Sequence, residues 1–344
     1  MSSATGIPEG VATPVAPAAA AGTPAWQRAL LVAGGIVVAL APLWVLESFH
    51  LFQLTMAVIM ALAVLGLNIV TGYNGQISLG HGAFFAVGAY VTAILMSHFD
   101  WSFWWTLPFS AVICAAVGWG VGFPALRLAG HYLALTTFAL AVAVPQLLKH
   151  KALEGWTGGV QGLFLVKPDP PAFLPLTPDQ WMYLIALGVS AVLFLLSWNL
   201  IRGRVGRAMM ATRDHPTAAE AMGMDIASLK TRTFAVSAMI TGIAGSLSAV
   251  AVEFVAPDSF TIFVSITLFV GMVAGGVASI LGSLFGGLFV LFVPNIAESI
   301  SKAAPGVIYG VILIVLLYVM PDGFAGLLRR GLARLRGRGG GGIF

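Results

Sequence analysis

From Arg202 to Arg232 the chain reads RGRVGRAMMATRDHPTAAEAMGMDIASLKTR, a long charge-dense interruption between apolar stretches that are each about bilayer length. An α-helix needs about 20 mainly apolar residues to cross a membrane, and about 17 suffice. Charged residues make up 9% of the sequence, where a soluble domain carries about 25%. The chain therefore reads as an all-α polytopic membrane protein, and everything else is placed relative to the charged interruption.

By the length criterion the spans run from Ala29 to Leu46, Leu51 to Val70, Ile77 to Met96, Trp105 to Leu126, Tyr132 to Leu148 and Trp181 to Ile201. After the central loop come Thr233 to Phe254, Ile262 to Ser279, a short stretch from Ile280 to Pro294, and Val307 to Met320. That gives about ten transmembrane helices. The stretch from Ile262 to Pro294 also reads as one bent hairpin. Six of the seventeen Lys and Arg residues lie in the central loop (Arg202, Arg204, Arg207, Arg213, Lys230, Arg232), and short loops rich in such residues stay on the cytoplasmic side. Six spans before the loop and four after it put both termini on that side. Arg329, Arg330, Arg334, Arg336 and Arg338 then fall inside as well, where topology and anionic lipid account for them. The expected organisation is a disordered cytoplasmic tail over residues 1–28, a transmembrane domain over 29–322, and a basic cytoplasmic tail over 323–344. Residues 1–28 have no charged start of a signal peptide.

Inside the central loop, Pro216 suits the first turn of a helix, because that turn leaves its N–H unpaired anyway. Residues 217–222 continue that helix, Gly223 ends it in a left-handed conformation, and Asp225 caps the next. Ala218, Ala221 and Met222 then form a small apolar surface ringed by charge, suited to a groove on a partner. An ordinary basic connecting loop is the other reading. The outer loop over residues 149–180 is long and proline-rich, with Trp156, Phe164 and Trp181 suited to the membrane interface. It either docks an external partner or is merely tolerated.

The spans hold almost no ionisable groups beyond His81 and Glu253, which argues against a proton relay. No phosphate-binding GxxxxGK[ST] loop occurs, and no HExxH or CxxC motif offers a metal or catalytic centre. Cys114 is the sole cysteine, so an intrachain disulfide is excluded. If ATP drives this chain, another subunit binds it. Three GxxxG pairs (Gly118 and Gly122, Gly271 and Gly275, Gly282 and Gly286) favour close helix packing.

The least ordinary stretch is TGYNGQISLGHGAFFAVGAY, from Thr71 to Tyr90. Irregular backbone at membrane depth is tolerated only when it is buried in protein or lines a cavity. Asn74, Gln76, Ser78, Gly80 and His81, with Thr136 and Thr137, are therefore candidates for a translocation path. A short turn at Asn74–Gly75 with a structural His81 is the alternative.

Five separated stretches carry a resemblance: TGYNGQISLGHGAFFAVGAYVTAIL, GHYLALTTFALA (residues 130–141), TGGVQGL (157–163), ATRDHPTAAEAMGMDIASLKTRTFAVSAMITGIAGSLSA (211–249) and YGVILIVLLYVMPDGFAGLL (309–328). They resemble, in order and spacing, the permease subunits of bacterial ABC importers for branched-chain amino acids, of the LivM-like type. The resemblance implies the ABC importer permease fold and a non-catalytic, multi-pass subunit in the bacterial inner membrane. It implies as partners a second related permease, two cytoplasmic ATPases that bind the ATP, and an extracytoplasmic solute-binding protein. Pro216, Ala218, Ala219, Glu220, Ala221, Met222 and Gly223 would couple to the ATPase, and Thr157, Gly158, Gly159 and Gly162 would face the binding protein. Related permeases also serve urea, short amides and other small solutes. The proline-broken end of the fifth span, AVPQLLKH, and the Ala- and Pro-rich N-terminus depart from the family pattern and leave the solute open. A self-sufficient channel or membrane enzyme is the reading from another class; it leaves the docking helix idle.

Overall fold

The computed structural model describes residues 34, 37, 39–125, 131–172, 174–300, 305–320 and 322–335. The chain divides into two units, Met1–Val45 and Leu46–Phe344. In the first, the described residues include a short helix, Pro42–Val45, with Trp44 and Val45 exposed. The expected N-terminal tail lies outside the described residues, as do residues 29–33, 35, 36 and 38 of the expected span from Ala29 to Leu46.

The second unit is helical nearly throughout. Its helices are α1 (Ser48–Leu67), α2 (His81–Phe99), α3 (Phe103–Ala125), α4 (His131–Leu148), α5 (Pro178–Arg202), α6 (Arg204–Asp214), α7 (Pro216–Ala221), α8 (Ile226–Val252), α9 (Ile262–Gly275), α10 (Ile280–Ile300), α11 (Pro305–Val319) and α12 (Gly323–Leu335). Six stretches in α1, α2, α3, α5, α8 and α10 are long and apolar enough to cross a membrane, while α4, α9 and α11 are shorter apolar helices. The chain is thus a multi-pass all-α membrane protein; among the described residues six helices have full spanning length and three more are apolar but shorter, a set that does not itself fix the count of about ten. Ile262 to Pro294 resolves into two helices, α9 and α10, joined by a turn in which Gly276 (φ 125) and Ala278 (φ 55) take positive φ.

The bundle is organised around α1 and α8, the two most enclosed spans. Small residues make that enclosure possible. At the crossing of α2 and α8, a Cβ on Gly88 would run into the Gly242 carbonyl, and one on Gly245 would run into that of Phe85. Ser246 and Ser110 of α3 fill this crossing, Ser246 donating to the Gly88 carbonyl at 3.0 Å. The predicted GxxxG faces pack within the chain: Gly118 meets Ala238 of α8, while Gly271 and Gly275 meet Gly286 and Gly282 across the α9–α10 hairpin.

α1 does not stop at Leu67 but widens into a π-helix, Asn68–Tyr73. Buried Asn68 clamps the α9–α10 turn, donating to Ser279 O (2.9 Å) and Ser283 Oγ (2.9 Å) and accepting from Ala278 N (2.8 Å). At the far end of the bundle, residues 149–172 are folded back rather than loose. Leu163–Phe164 (β1) pairs antiparallel with Phe254–Val255 (β2). Lys167 bridges Asp179 at 2.9 Å and Glu253 at 3.3 Å. Entry into α5 is fixed by a capping box between Thr177 and Gln180, with Pro178 at the first helical position.

The glycine crossing makes a direct forecast. Gly88→Val should destabilise the protein by about 3 kcal/mol or more, since backbone rather than a flexible side chain blocks the new methyls. Gly188→Val, at a position with open space around its Cβ, should leave the melting temperature in detergent unchanged.

Candidate functional site

The segment between the π-helix and α2 is where the chain leaves regular structure. Gly75 turns it with φ 72. Gln76 then reaches the Lys230 carbonyl (3.2 Å) near the start of α8, and His81 reaches Ser237 (2.6 Å), seven residues further along that helix. Seven residues of α-helix rise about 10 Å. Residues 77–80 therefore climb that far beside α8 without helical hydrogen bonds, and α2 begins deep inside the bundle rather than at its end.

Their polar groups are satisfied by side chains instead. Leu79 N donates to Thr137 Oγ1 (3.0 Å), Gly80 N to Ser78 Oγ (3.3 Å) and Gly82 N to Ser265 Oγ (2.9 Å). Ser237 Oγ donates its one proton to the Gly66 carbonyl at 2.6 Å, so toward His81 it accepts. His81 therefore carries its proton on Nε2, and Nδ1 accepts from Ser78 Oγ at 2.9 Å. The result is a directed chain, Ser78 to His81 to Ser237 to Gly66, that ties α2, α8 and α1 together around a neutral imidazole. Phe84 and Phe234 pack edge-on against the ring.

Ser78, Gly80, His81 and Thr137 thus meet at the start of α2, while Gln76 lies apart from them at the Lys230 carbonyl. Thr136 does not join them; it is exposed and bonds back to the Tyr132 carbonyl. Asn74 is buried, and among the described residues neither of its amide atoms has a hydrogen-bond partner. A buried amide in that condition costs about 1–3 kcal/mol by mutational measures. A Cβ on Gly80 would lie 2.8 Å from the Thr137 carbonyl, so a bulky residue there disturbs packing whatever the segment's role. Two cavities flank the bundle. One of about 500 Å³ between α3, α5 and α8 is lined by apolar side chains and Trp104 and Trp181, which does not suit a polar solute. The other, about 390 Å³, sits where α5, α6 and α8 meet, near Asp225 and Arg232.

The charged stretch holds the two expected helix starts, at Pro216 and after Asp225, and a further helix ahead of them. Residues 204–214, read from the sequence as loop, form α6, whose inner side carries Gly206, Met209 and Thr212. α7 follows from Pro216 and ends at Ala221, with Gly223 at φ 80. Asp225 caps α8, accepting from Ser228 N at 3.0 Å, and α8 runs on without a break into the span. Of the residues expected to couple to an ATPase, Pro216, Ala218, Glu220, Ala221, Met222 and Gly223 are exposed, Met222 at 81%, while Ala219 is buried and anchors α7.

Arg213 joins this surface to the irregular segment. Its Nη1 donates to the Gly72 carbonyl (2.8 Å) and its Nε to Asp214 (2.8 Å), which holds the Asp214 carboxyl below the usual carboxylate range. Its Cγ lies 2.6 Å from where a Cβ on Gly75 would sit, so only glycine fits that turn. Sequence reasoning counted Arg213 only as a topology charge. It also passed over Ser237 and Ser265, although the small polar residues Ser237, Thr241 and Ser248 recur along α8. At the other end, Thr157 and Gly159 are buried and shape the loop, with Gly158 and Gly162 at positive φ. The exposed residues there are Val160, Gln161, Phe164 and Val166.

A polytopic helical bundle with an interrupted helix deep inside it and an exposed short helix at one end is the frame of a multi-pass membrane protein, and its likeness to known proteins places it in the membrane-transport class. The chain belongs to the family described as branched-chain amino acid transport system / permease component, whose profile matches residues 49–320. It is 33% identical over 246 residues to proteins named high-affinity branched-chain amino acid transport system permease protein LivM, from Salmonella typhimurium and from Escherichia coli. Those alignments cover 64% of this chain and 57% of each relative, so the chain spans little more than half the length of the curated relatives it matches. A probable branched-chain amino acid transport permease protein LivM from Methanocaldococcus jannaschii is 28% identical over 157 residues, 44% of each chain. No solved structure matches.

Removing the acceptor at the centre of the polar chain should be costly. Ser237→Ala strands the His81 Nε2 proton and one contact to Gly66, and is expected to lower stability by about 1–3 kcal/mol. A thermal melt in detergent reads this, and in the His81→Phe background the same substitution should cost distinctly less.

Proposed function

We propose that this chain is the permease subunit of an ATP-driven importer, and that it moves branched-chain amino acids, or a similar small solute, across the bacterial inner membrane by alternating access. The observation that carries this reading is the exposed α7 surface tied through Arg213 to the broken segment at Gly72. A short helix presenting Ala218, Ala221 and Met222 to the outside is suited to a groove on a cytoplasmic ATPase. Two such ATPases, a second related permease and an extracytoplasmic solute-binding protein complete the assembly, and ATP is bound by the partners.

In this mechanism, displacement of α7 on ATP binding pulls the Gly72 carbonyl through the Arg213 guanidinium. The π-helix stores one extra residue per turn and is a natural place to absorb that displacement. Asn74, unpaired in this state, gains partners in the other, which lowers the cost of switching. The segment 77–80 then shifts against Thr137 and opens or closes the path beside α4. A solute with an apolar side chain needs no charged ligand there, in keeping with low-affinity handover by an apolar, weakly polar lining. The outer loop, held to α8 by the β1–β2 pair, presents Val160, Gln161 and Phe164 to the binding protein.

Glu220→Lys should abolish ATP-dependent uptake in reconstituted vesicles while the protein still inserts and co-purifies with the second permease. Arg213→Gln should leave ATPase docking intact but lower solute moved per ATP hydrolysed by about tenfold, the effect of losing roughly 1.4 kcal/mol from a charge-assisted hydrogen bond. Wild-type uptake by Glu220→Lys would remove the coupling assignment, and an unchanged ratio in Arg213→Gln would remove the link to Gly72.

A further inference from the structure

Residues 323–344 were expected to be an undifferentiated basic tail. Residues 323–335 instead form α12, whose sequence GFAGLLRRGLARL segregates apolar from basic positions at helical spacing. Phe324, Leu327 and Leu328 fall within about 100° of one another around the helix, and they are 39%, 46% and 45% exposed. Arg329 projects from the opposite side, Arg330 flanks the apolar face next to Leu327, and both are exposed. Arg330 pairs with Asp322; among the described residues Arg329 has no carboxylate partner.

The position of this helix identifies what meets it. Three residues, 320–322, separate it from apolar α11, so its first turn starts close to the end of that helix. Its first turn packs on the α9–α10 turn, where a Cβ on Gly276 would lie 3.1 Å from Ala325 Cβ, and Phe324 stacks on Phe285 (6.0 Å, 17°). Gly72, whose carbonyl accepts from Arg213 of α6, also abuts the α9–α10 turn, since a Cβ on it would lie 2.6 Å from Ala278 N, which puts α12 at the same end of the bundle as α6. We propose that α12 is a membrane-surface helix that seats Phe324, Leu327 and Leu328 in the bilayer interface and binds anionic phospholipid headgroups through Arg329. A helix with one apolar face and arginines on the other lies in the interfacial plane, and anionic lipid strengthens its hold. By gripping the α9–α10 turn that Asn68 also clamps, such a helix fixes that turn to the lipid surface.

The test uses the full chain in lipid nanodiscs of phosphatidylcholine, with or without one-third phosphatidylglycerol. Cys114 is buried and is the sole cysteine, so Leu328→Cys supplies the accessible thiol for a nitroxide. Its collision rate with oxygen relative to a water-soluble nickel chelate reports immersion. The expected result is an increase of about fivefold in that ratio with phosphatidylglycerol, the size of one basic residue's attraction to an anionic surface. Arg329→Gln should remove the increase and Arg329→Lys should restore it. For unlabelled protein, native mass spectrometry should show retained phosphatidylglycerol that Arg329→Gln loses. Equal ratios in both lipids, a lipid effect that survives Arg329→Gln, or immersion that appears only when ATPase subunits are added would each overturn the proposal; the last would make α12 a protein-docking surface. None of these readouts needs transport, so they stand or fall separately from the proposed function.

Discussion

An N–H or C=O group that leaves a helix inside hydrocarbon must find another partner, and the architecture of this protein follows from how that demand is met between Asn74 and His81. Three hydroxyls accept from the N–H groups of Leu79, Gly80 and Gly82, and a fourth, with one neutral imidazole, ties the break to its neighbours. Ser78, Thr137, Ser237 and Ser265 come from the segment itself and from α4, α8 and α9. Every helix that meets α2 near its start is thereby committed to the break. Because His81 donates from Nε2 and accepts at Nδ1, the chain of hydrogen bonds has one direction, and no ionised group is needed to hold it. A deep helix start without charge suits a machine that passes a small solute rather than a proton.

Close packing is the second condition. α2, α3 and α8 approach until only glycine fits at Gly88, Gly118 and Gly245, which replaces the hydrophobic effect as the cohesive force between helices in lipid. Asn68 does the same for the α9–α10 hairpin with hydrogen bonds. The irregular segment is thus flanked by rigid neighbours, and Arg213 is the polar connection between it and the exposed α7 surface.

Much of this was legible in the sequence. Apolar runs of bilayer length announced the spans, and Pro216, Gly223 and Asp225 marked the start of α7, its end and the cap of α8, as the structure has them. The run of Gly, Asn, Gln and Ser after Val70 marked the break. What was hidden depended on contacts between distant residues. Nothing near Thr136 or Thr137 says which of them faces α2, since adjacent residues on a helix point about 100° apart and only tertiary packing chooses between them. Arg213 looked like any basic loop residue because its partner is a backbone carbonyl, which has no sequence signature. α6 was missed because its polar side is dense with arginine, although Gly206, Met209 and Thr212 keep a helical spacing. The span count rests on a different matter: α4, α9 and α11 are short, so length alone does not decide whether they cross.

The continuity of α8 has a mechanical meaning. Twenty-seven residues without a kink make a rod of about 40 Å, capped by Asp225 beside α7 and ending at Glu253. At that far end Glu253 receives Lys167 through its side chain and Leu165 N through its carbonyl, and β2 follows at once. A tilt imposed at the α7 end is therefore delivered to the outer loop as a sweep of Phe164 and its neighbours. One stiff lever can report the state of either end to the other, with no relay of intermediate side chains.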